Sequence, residues 1–266
     1  MKDDTFDKLL ATLSNQLHVT QIMSTKPDFC TKSDNPLTIL ETMHRRNYDI
    51  MPVKENGKFV GYVERDILVK LKQIEPAIQQ INLDIVVSAG TCVHEMIDLF
   101  QKSRFFFVNR ANDLVGLVTY ADLDKIPVRV WLFILICKFE FLLLQLIKNF
   151  YEGSLWLNKL TAKRRKKITD LFDEKRKHDI DISLENCLNL GDMIELLESD
   201  RKLRSFIGYT SRNSCKRECS GLDVLRNNVM HPSTSLVNNY DGVVLSKRKN
   251  RLQQATKRIE SALKNF

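Results

Sequence analysis

The stretch IMPVKENGKFVGYV, residues 50–63, decides how the first half of the chain folds. Two short apolar runs flank Glu55-Asn56-Gly57-Lys58. Asn-Gly between such runs is a strong hairpin signal, because both residues accept the positive φ that a two-residue turn demands. Ahead of the hairpin, Leu37, Leu40 and Met43 recur at helical spacing, which predicts a helix followed by two strands.

The same order then returns. DIVVSAG (84–90) leads into the helical pattern TCVHEMIDLFQKS (91–103) and the strand RFFFVNR (104–110). A turn expected at Asn112 and Asp113 precedes LVGLVTYADL (114–123). Units of about 17–70 and 82–125 thus repeat a helix-and-hairpin plan. Neither unit alone can bury its sheet face, so the two must pack together.

These residues resemble a tandem pair of cystathionine-beta-synthase (CBS) domains, over residues 17–125. TQIM, DNPLTILETM, DIMPV and GKFVG carry the resemblance in the first unit, and LVGLVTYADL carries it in the second. It implies an α+β nucleotide-sensing module with an adenine nucleotide (AMP, ADP or ATP) as regulatory ligand between the units. By motif, Thr119 and Asp122 would contact ribose and phosphate. The first unit departs from the pattern: GYV is followed by ERD, one residue short and without Thr or Ser, so Asp66 has no clear role. One competent site is therefore expected. The competing reading is that Thr119 only caps the helical turn beginning at Tyr120, with the cleft unused.

From residue 127 the strand signals stop. An apolar helix over 128–150 is followed by NKLTAKRRKKITDLFDEKRKH (158–178), SLENCLNLGDMIELLESD (183–200) and a helix running into LDVLRNNVMHP (222–232). A last amphipathic helix carries Leu252, Ala255, Ile259, Ala262 and Phe266 on one face. The pattern predicts an all-α bundle over 127–266, after an α+β module over 1–126. WLFILICKFEFLLLQLI (131–147) approaches membrane-spanning length, but Lys138 and Glu140 interrupt it. Each would cost roughly 2.5–3.5 kcal/mol at a bilayer centre. The expectation is a helix buried in a bundle or at an oligomer interface, and no membrane.

The 266 residues carry a formal charge of +8 and a pI near 9.1, which favours polyanionic partners. The cysteines are scattered; Cys215 and Cys219 form the one close pair, with no second pair or His cluster to complete a zinc site. The beginning, MKDDTFDKLL, lacks the apolar core of a signal peptide, so a reducing cytoplasm is expected.

LRNNVMHPS (225–233) gathers Arg226, Asn227 and His231 just before Pro232. Five helical residues turn through about 500°, so Arg226 and His231 would lie roughly 140° apart unless Pro232 ends the helix and frees the imidazole. RNA supplies its own nucleophile, the 2′-hydroxyl. Cleavage then needs a group that moves a proton, suited to His231, and a cation that steadies the phosphorane, suited to Arg226. Arg-Asn-x-x-x-His in a basic helical bundle resembles the HEPN superfamily of ribonucleases and toxins, over about residues 128–266. The resemblance implies catalytic Arg226 and His231 with Asn227 beside them, and a homodimer whose two motifs line one cleft. The run Lys163, Arg164, Arg165, Lys166, Lys167 is either a solvated face or a patch that contacts RNA. The reading that follows is a metal-independent endoribonuclease regulated by an adenine nucleotide. The alternatives are a non-catalytic sensor whose helical domain binds RNA or protein, and a membrane-anchored regulator. A helix end with a favourably placed histidine is the bland account of the motif.

Overall fold

The computed structural model describes residues 5–69, 71–178, 181–237 and 242–266. Two compact units emerge: Ser14–Val128, and a second that joins the segment up to Leu13 with Arg129–Phe266.

In the first unit, helix α2 (Pro36–Arg46) begins where Asn35 Oδ1 accepts the Leu37 N–H at 2.9 Å and Pro36 occupies the first turn. It stops at Asn47, in the left-handed region at φ 55°. Its buried face is Pro36, Ile39 and Met43, whereas Leu37 is 63% exposed. The expected stripe was therefore out of phase at its first position. Strands β1 (Ile50–Glu55) and β2 (Lys58–Glu64) form the hairpin, pairing Ile50 with Glu64 and Glu55 with Lys58. Asn56 and Gly57 take φ of 49° and 79°, as the two-residue turn requires. One turn of helix, α3 (Arg65–Leu68), closes the repeat.

The second repeat follows the same plan, with β3 (Val86–Ser88), helix α4 (Val93–Leu99), β4 (Phe105–Arg110) and β5 (Asp113–Thr119). Strand β3 runs parallel to β4, and β5 antiparallel to it. Both hairpins shift register at corresponding places, between Val53 and Lys54 and between Val108 and Asn109. The second turn is centred on Ala111 and Asn112, at φ 47° and 72°. That is one residue earlier than the expected Asn112–Asp113, because Asp113 already pairs with Arg110.

Each lead-in segment pairs with the opposite repeat. Ser24 exchanges hydrogen bonds of 2.7 and 3.0 Å with Leu117 in β5, and Gln79 exchanges bonds of 2.8 and 3.1 Å with Tyr62 in β2. This crossing explains the glycines of GKFVG and LVGLV. A Cβ on Gly61 would stand 2.7 Å from the Gln79 carbonyl oxygen, and one on Gly116 would stand 2.8 Å from that of Ser24. The sheet faces then meet through aromatic rings. Tyr62 lies 5.0 Å from Phe105 and Phe59 lies 5.6 Å from Phe107, both edge to face. A separate apolar cluster, including Ile39, Met43, Val53, Val63 and Leu68, fills the helix side of the first repeat.

The second unit is mostly helical: α5 (Ile126–Phe150, whose first turn lies before the unit boundary), α6 (Ala162–Lys177), α7 (Leu190–Ser199), α8 (Arg201–Phe206), α9 (Arg212–Cys219), α10 (Leu222–Met230) and α11 (Gly242–Leu263). Side-chain caps at Thr161, Asn189 and Asp200 set the starts of α6, α7 and α8. The helices are more numerous and shorter than the expected four or five. On α11, Leu252, Ala255, Ile259 and Ala262 are buried, but Phe266 lies beyond the helix, 58% exposed, with its ring 4.9 Å from Phe206.

Helix α5 is long and apolar enough to cross a membrane, and half of its most apolar window is buried inside the protein. Both interrupting charges are paired: Lys138 lies 2.5 Å from Asp7 and 2.5 Å from Glu260, and Glu140 lies 3.5 Å from Arg226. Asp7 belongs to helix α1 (Thr5–Gln16), whose Phe6 ring also stands 5.5 Å from Phe141. These contacts place α1 with the helical unit, whereas the division at 126/127 had grouped it with the first module.

Candidate functional site

The Thr119–Asp122 corner forms where β5 ends in a 3-10 turn, Tyr120–Asp124. Asp122 Oδ2 accepts the Thr119 N–H at 2.6 Å and its hydroxyl at 3.2 Å, and Oδ1 pairs with the Lys125 ammonium at 2.7 Å. Asp122 is only 8% exposed, so its carboxylate is consumed locally. That is the geometry of a cap. The Lys125 side chain, 43% exposed, also donates to the Ile22 carbonyl. The first repeat reaches this corner through a residue that sequence reasoning missed. Asp49 pairs with Arg65 at 2.7 Å and receives the Tyr120 hydroxyl at 3.5 Å, the outer limit of a hydrogen bond. Arg65, in the aberrant ERD, is thus tied to Asp49. An 870 Å³ cavity in this unit lies elsewhere, beside α2, and is lined by neither Thr119 nor Asp122.

In the helical unit, Leu222, Leu225 and Val229 are buried on α10, which leaves Arg226 half-buried and Asn227 exposed. The motif begins in the second half of this helix and runs past its end. His231 caps the helix in an extended conformation, φ −111° and ψ 100°, with its side chain exposed. Among the described residues, no hydrogen bond joins Arg226 to His231, and none engages the imidazole. Arg226 instead leans on Glu140 and on its neighbour Asn227, whose Oδ1 it reaches at 3.4 Å. Burial lifts the Glu140 carboxyl above its ordinary value, and the Arg226 charge offsets this only in part.

What holds His231 in place is Arg129, which the sequence reading did not single out. Buried to 5% exposure, it donates to the Asn228 carbonyl at 2.5 Å, to that of His231 at 3.4 Å and to that of Thr234 at 2.6 Å. The first two belong to the carboxyl end of α10, whose last carbonyls have no partner within the helix and where a cation is also favoured by the helix dipole. The Thr234 hydroxyl adds a 2.7 Å bond to the His231 carbonyl, and Asn228 Nδ2 donates to Ser235 at 3.1 Å. The turn after α10 is therefore fixed at several points. The available signal for Arg129 was an arginine placed at the entry of a very apolar helix.

The basic run on α6 separates into two parts. Arg164 turns inward and grips Asp192 with both arms of its guanidinium, one at 2.6 Å, and Asp192 is 3% exposed. Arg164 is thus a structural pin between α6 and α7 and not part of a solvated patch. Lys163, Lys166 and Lys167 are exposed, and Arg165 is half-buried. Among the described residues, no group of three or more His, Cys, Asp or Glu is arranged to hold a metal.

Residues 19–73 match the CBS domain family. Among solved structures, the chain is similar to a CBS domain pair in complex with 5′-methylthioadenosine and S-adenosyl-L-methionine, at 22% identity, covering 40% of this chain and 95% of that one, with a TM-score of 0.35. It is similar to the CBS domain of a bacterial CNNM/CorC family Mg2+ transporter in complex with ATP, at 13% identity, 48% and 97% coverage and a TM-score of 0.37. It is also similar to the CBS domains of a transcriptional regulator from Streptococcus pneumoniae, at 21% identity, 41% and 97% coverage and a TM-score of 0.35. No curated protein matches the chain. The match to the CBS domain family thus covers the first repeat, within an α+β region whose second half follows the same plan, and a mostly helical region comes after it.

Proposed function

We propose that this protein is a metal-independent endoribonuclease whose activity is biased by an adenine nucleotide bound to its CBS pair. The observation that carries the reading is the turn fixed by Arg129, which presents the exposed His231 imidazole at the end of the helix that bears Arg226. In the proposed reaction the 2′-hydroxyl attacks the adjacent phosphorus and the bond to the 5′-oxygen breaks. A cyclic phosphate is left on one fragment and a 5′-hydroxyl on the other. His231 moves a proton in this step, and Arg226 exchanges Glu140 for the phosphorane oxygens. Asn227, exposed beside Arg226, lies where it would contact the same phosphate.

A second copy of the chain completes the site in this reading, because Arg226 and His231 make no contact within one chain. On α5, the partly exposed Val130, Phe133, Cys137 and Leu144 recur at helical spacing along the side that carries Glu140, and this is the proposed dimer face. A soluble homodimer follows, with α5 as its core helix. Lys163, Lys166 and Lys167 would guide the RNA backbone. The nucleotide would take Asp122 from Lys125, as adenosine ligands occupy the similar CBS structures.

The pairing of Arg226 with Glu140 also favours a second reading, a non-catalytic nucleotide sensor whose helical part binds RNA or a protein. The test incubates the pure protein with generic RNA alone and with AMP, ADP or ATP. Cleavage whose rate changes with nucleotide supports the proposal. RNA left intact under every condition favours the sensor, and a rate indifferent to all three nucleotides removes the regulatory part.

A further inference from the structure

The 870 Å³ cavity of the first repeat is walled by the loop that precedes α2, by α2 itself and by β1. Neither Thr119 nor Asp122 lines it, so it is separate from the Thr119–Asp122 corner. Its volume lies within the roughly 300–1,000 Å³ of small-molecule sites. Lys26, Arg45 and Arg46 converge on it, all exposed, and among the described residues no hydrogen bond or ion pair engages their side chains. The two carboxylates of its wall are already in use: Asp28 Oδ2 accepts the Tyr48 hydroxyl at 3.0 Å, and Asp34 Oδ2 accepts the Thr31 N–H at 2.7 Å. On another wall, Phe29 is 52% exposed, with the Lys54 ammonium 4.9 Å from the centre of its ring.

Three cations held around one hollow without partners repel one another, and a multiply charged anion relieves that repulsion. Two adjacent guanidiniums suit phosphate oxygens in particular, because each presents a planar fork of donors. The exposed ring of Phe29 offers a flat apolar surface within the same cavity, against which a planar ring can stack. We propose that this cavity binds a small organic phosphate, with the phosphate on Lys26, Arg45 and Arg46 and a ring of the ligand on Phe29. The site is independent of the Thr119–Asp122 corner and of any nuclease activity.

Calorimetry on the full chain tests this with pyrophosphate and with ATP as probes. The variants are Arg45→Ala/Arg46→Ala, Phe29→Ala and Asp122→Ala. Arg45→Ala/Arg46→Ala should weaken pyrophosphate by at least about tenfold, as expected for lost charge-assisted bonds. Its ligand-free melting temperature should stay close to that of the unaltered protein, because both side chains are exposed. Phe29→Ala should weaken ATP but leave pyrophosphate binding in place, and Asp122→Ala should leave pyrophosphate binding unchanged. The proposal is overturned if pyrophosphate does not bind the unaltered protein, or binds equally well to the double arginine variant. It is also overturned if a single-stranded RNA oligonucleotide, but neither small phosphate, is the ligand lost with those arginines.

Discussion

Ala111 sits at φ 47°, in the position that Asn56 fills in the first hairpin. A Cβ in the left-handed region costs about 1–2 kcal/mol, and glycine escapes this penalty. Ala111→Gly should therefore raise the unfolding free energy by about 1 kcal/mol in denaturant titration; a loss of stability would show that the turn is held by something other than its backbone. The opposite substitution at the crossing points should be harmful. Gly61→Ala and Gly116→Ala each force a methyl into the carbonyl of a lead-in segment, and should cost about 1–3 kcal/mol by the same measurement. Asp200 supplies a pH test. Burial pushes its carboxyl up, but the N–H groups of Leu203 and Lys202, the Tyr151 hydroxyl and Lys159 outweigh this and leave it below its ordinary value. A carboxyl lowered by folding contributes stability that is complete above its ordinary pKa and is lost as pH falls through the folded value. Asp200→Ala should accordingly cost about 1–3 kcal/mol at neutral pH, with the difference shrinking in acid; a pH-independent difference would mean that the carboxylate charge is not what matters. At this scale the sequence was legible where one residue type answers one backbone need, as at Asn56-Gly57. It misled at Ala111, because an alanine does not advertise a positive φ and the register of Arg110 with Asp113 decides the turn.

Elements show the same division between local and distant causes. The two hairpins, α2 and the final helix could be read from spacing, since their patterns lie within a dozen or so residues of chain. The docking of α1 could not, because it depends on Lys138, more than a hundred positions away, finding Asp7. The two charges inside α5 were legible as an argument about membranes, but their partners Glu260 and Arg226 come from other helices. Lys138→Ala would leave Asp7 and half-buried Glu260 without their shared cation and should cost about 1–3 kcal/mol, read as a lowered melting temperature. An unchanged melting temperature would mean that α1 and α11 do not depend on that cation. The end of α10 was legible as a stop at Pro232 and no further. Its shape comes from Arg129, whose reach to Asn228 and Thr234 spans about as much sequence. The Asp49–Tyr120 contact escaped the reading of the CBS pair for the same reason.

At the scale of the molecule, the chain leaves the helical unit after Leu13 and returns to it at Arg129, so both ends of the CBS-like unit are joined covalently to the helical one. In the proposed function, a nucleotide bound to the CBS-like unit biases cleavage only by its difference in affinity between the active and inactive arrangements. If the exposed side of α5 is the proposed dimer face, light scattering at micromolar concentration should give a dimer, and a monomer would count against the proposed two-chain site. The nuclease assignment itself rests on two side chains, and the most direct measurement is the rate of RNA cleavage by Arg226→Ala and His231→Ala beside the unaltered protein, with products analysed for their termini. Each substitution should lower the rate about 10²–10⁴-fold, with little change in melting temperature for His231→Ala and a modest loss for Arg226→Ala, which leaves Glu140 without its partner; the unaltered protein should leave cyclic phosphates, and DNA of the same sequence should survive. Cleavage that persists in both variants, or that consumes DNA equally, would contradict the assignment.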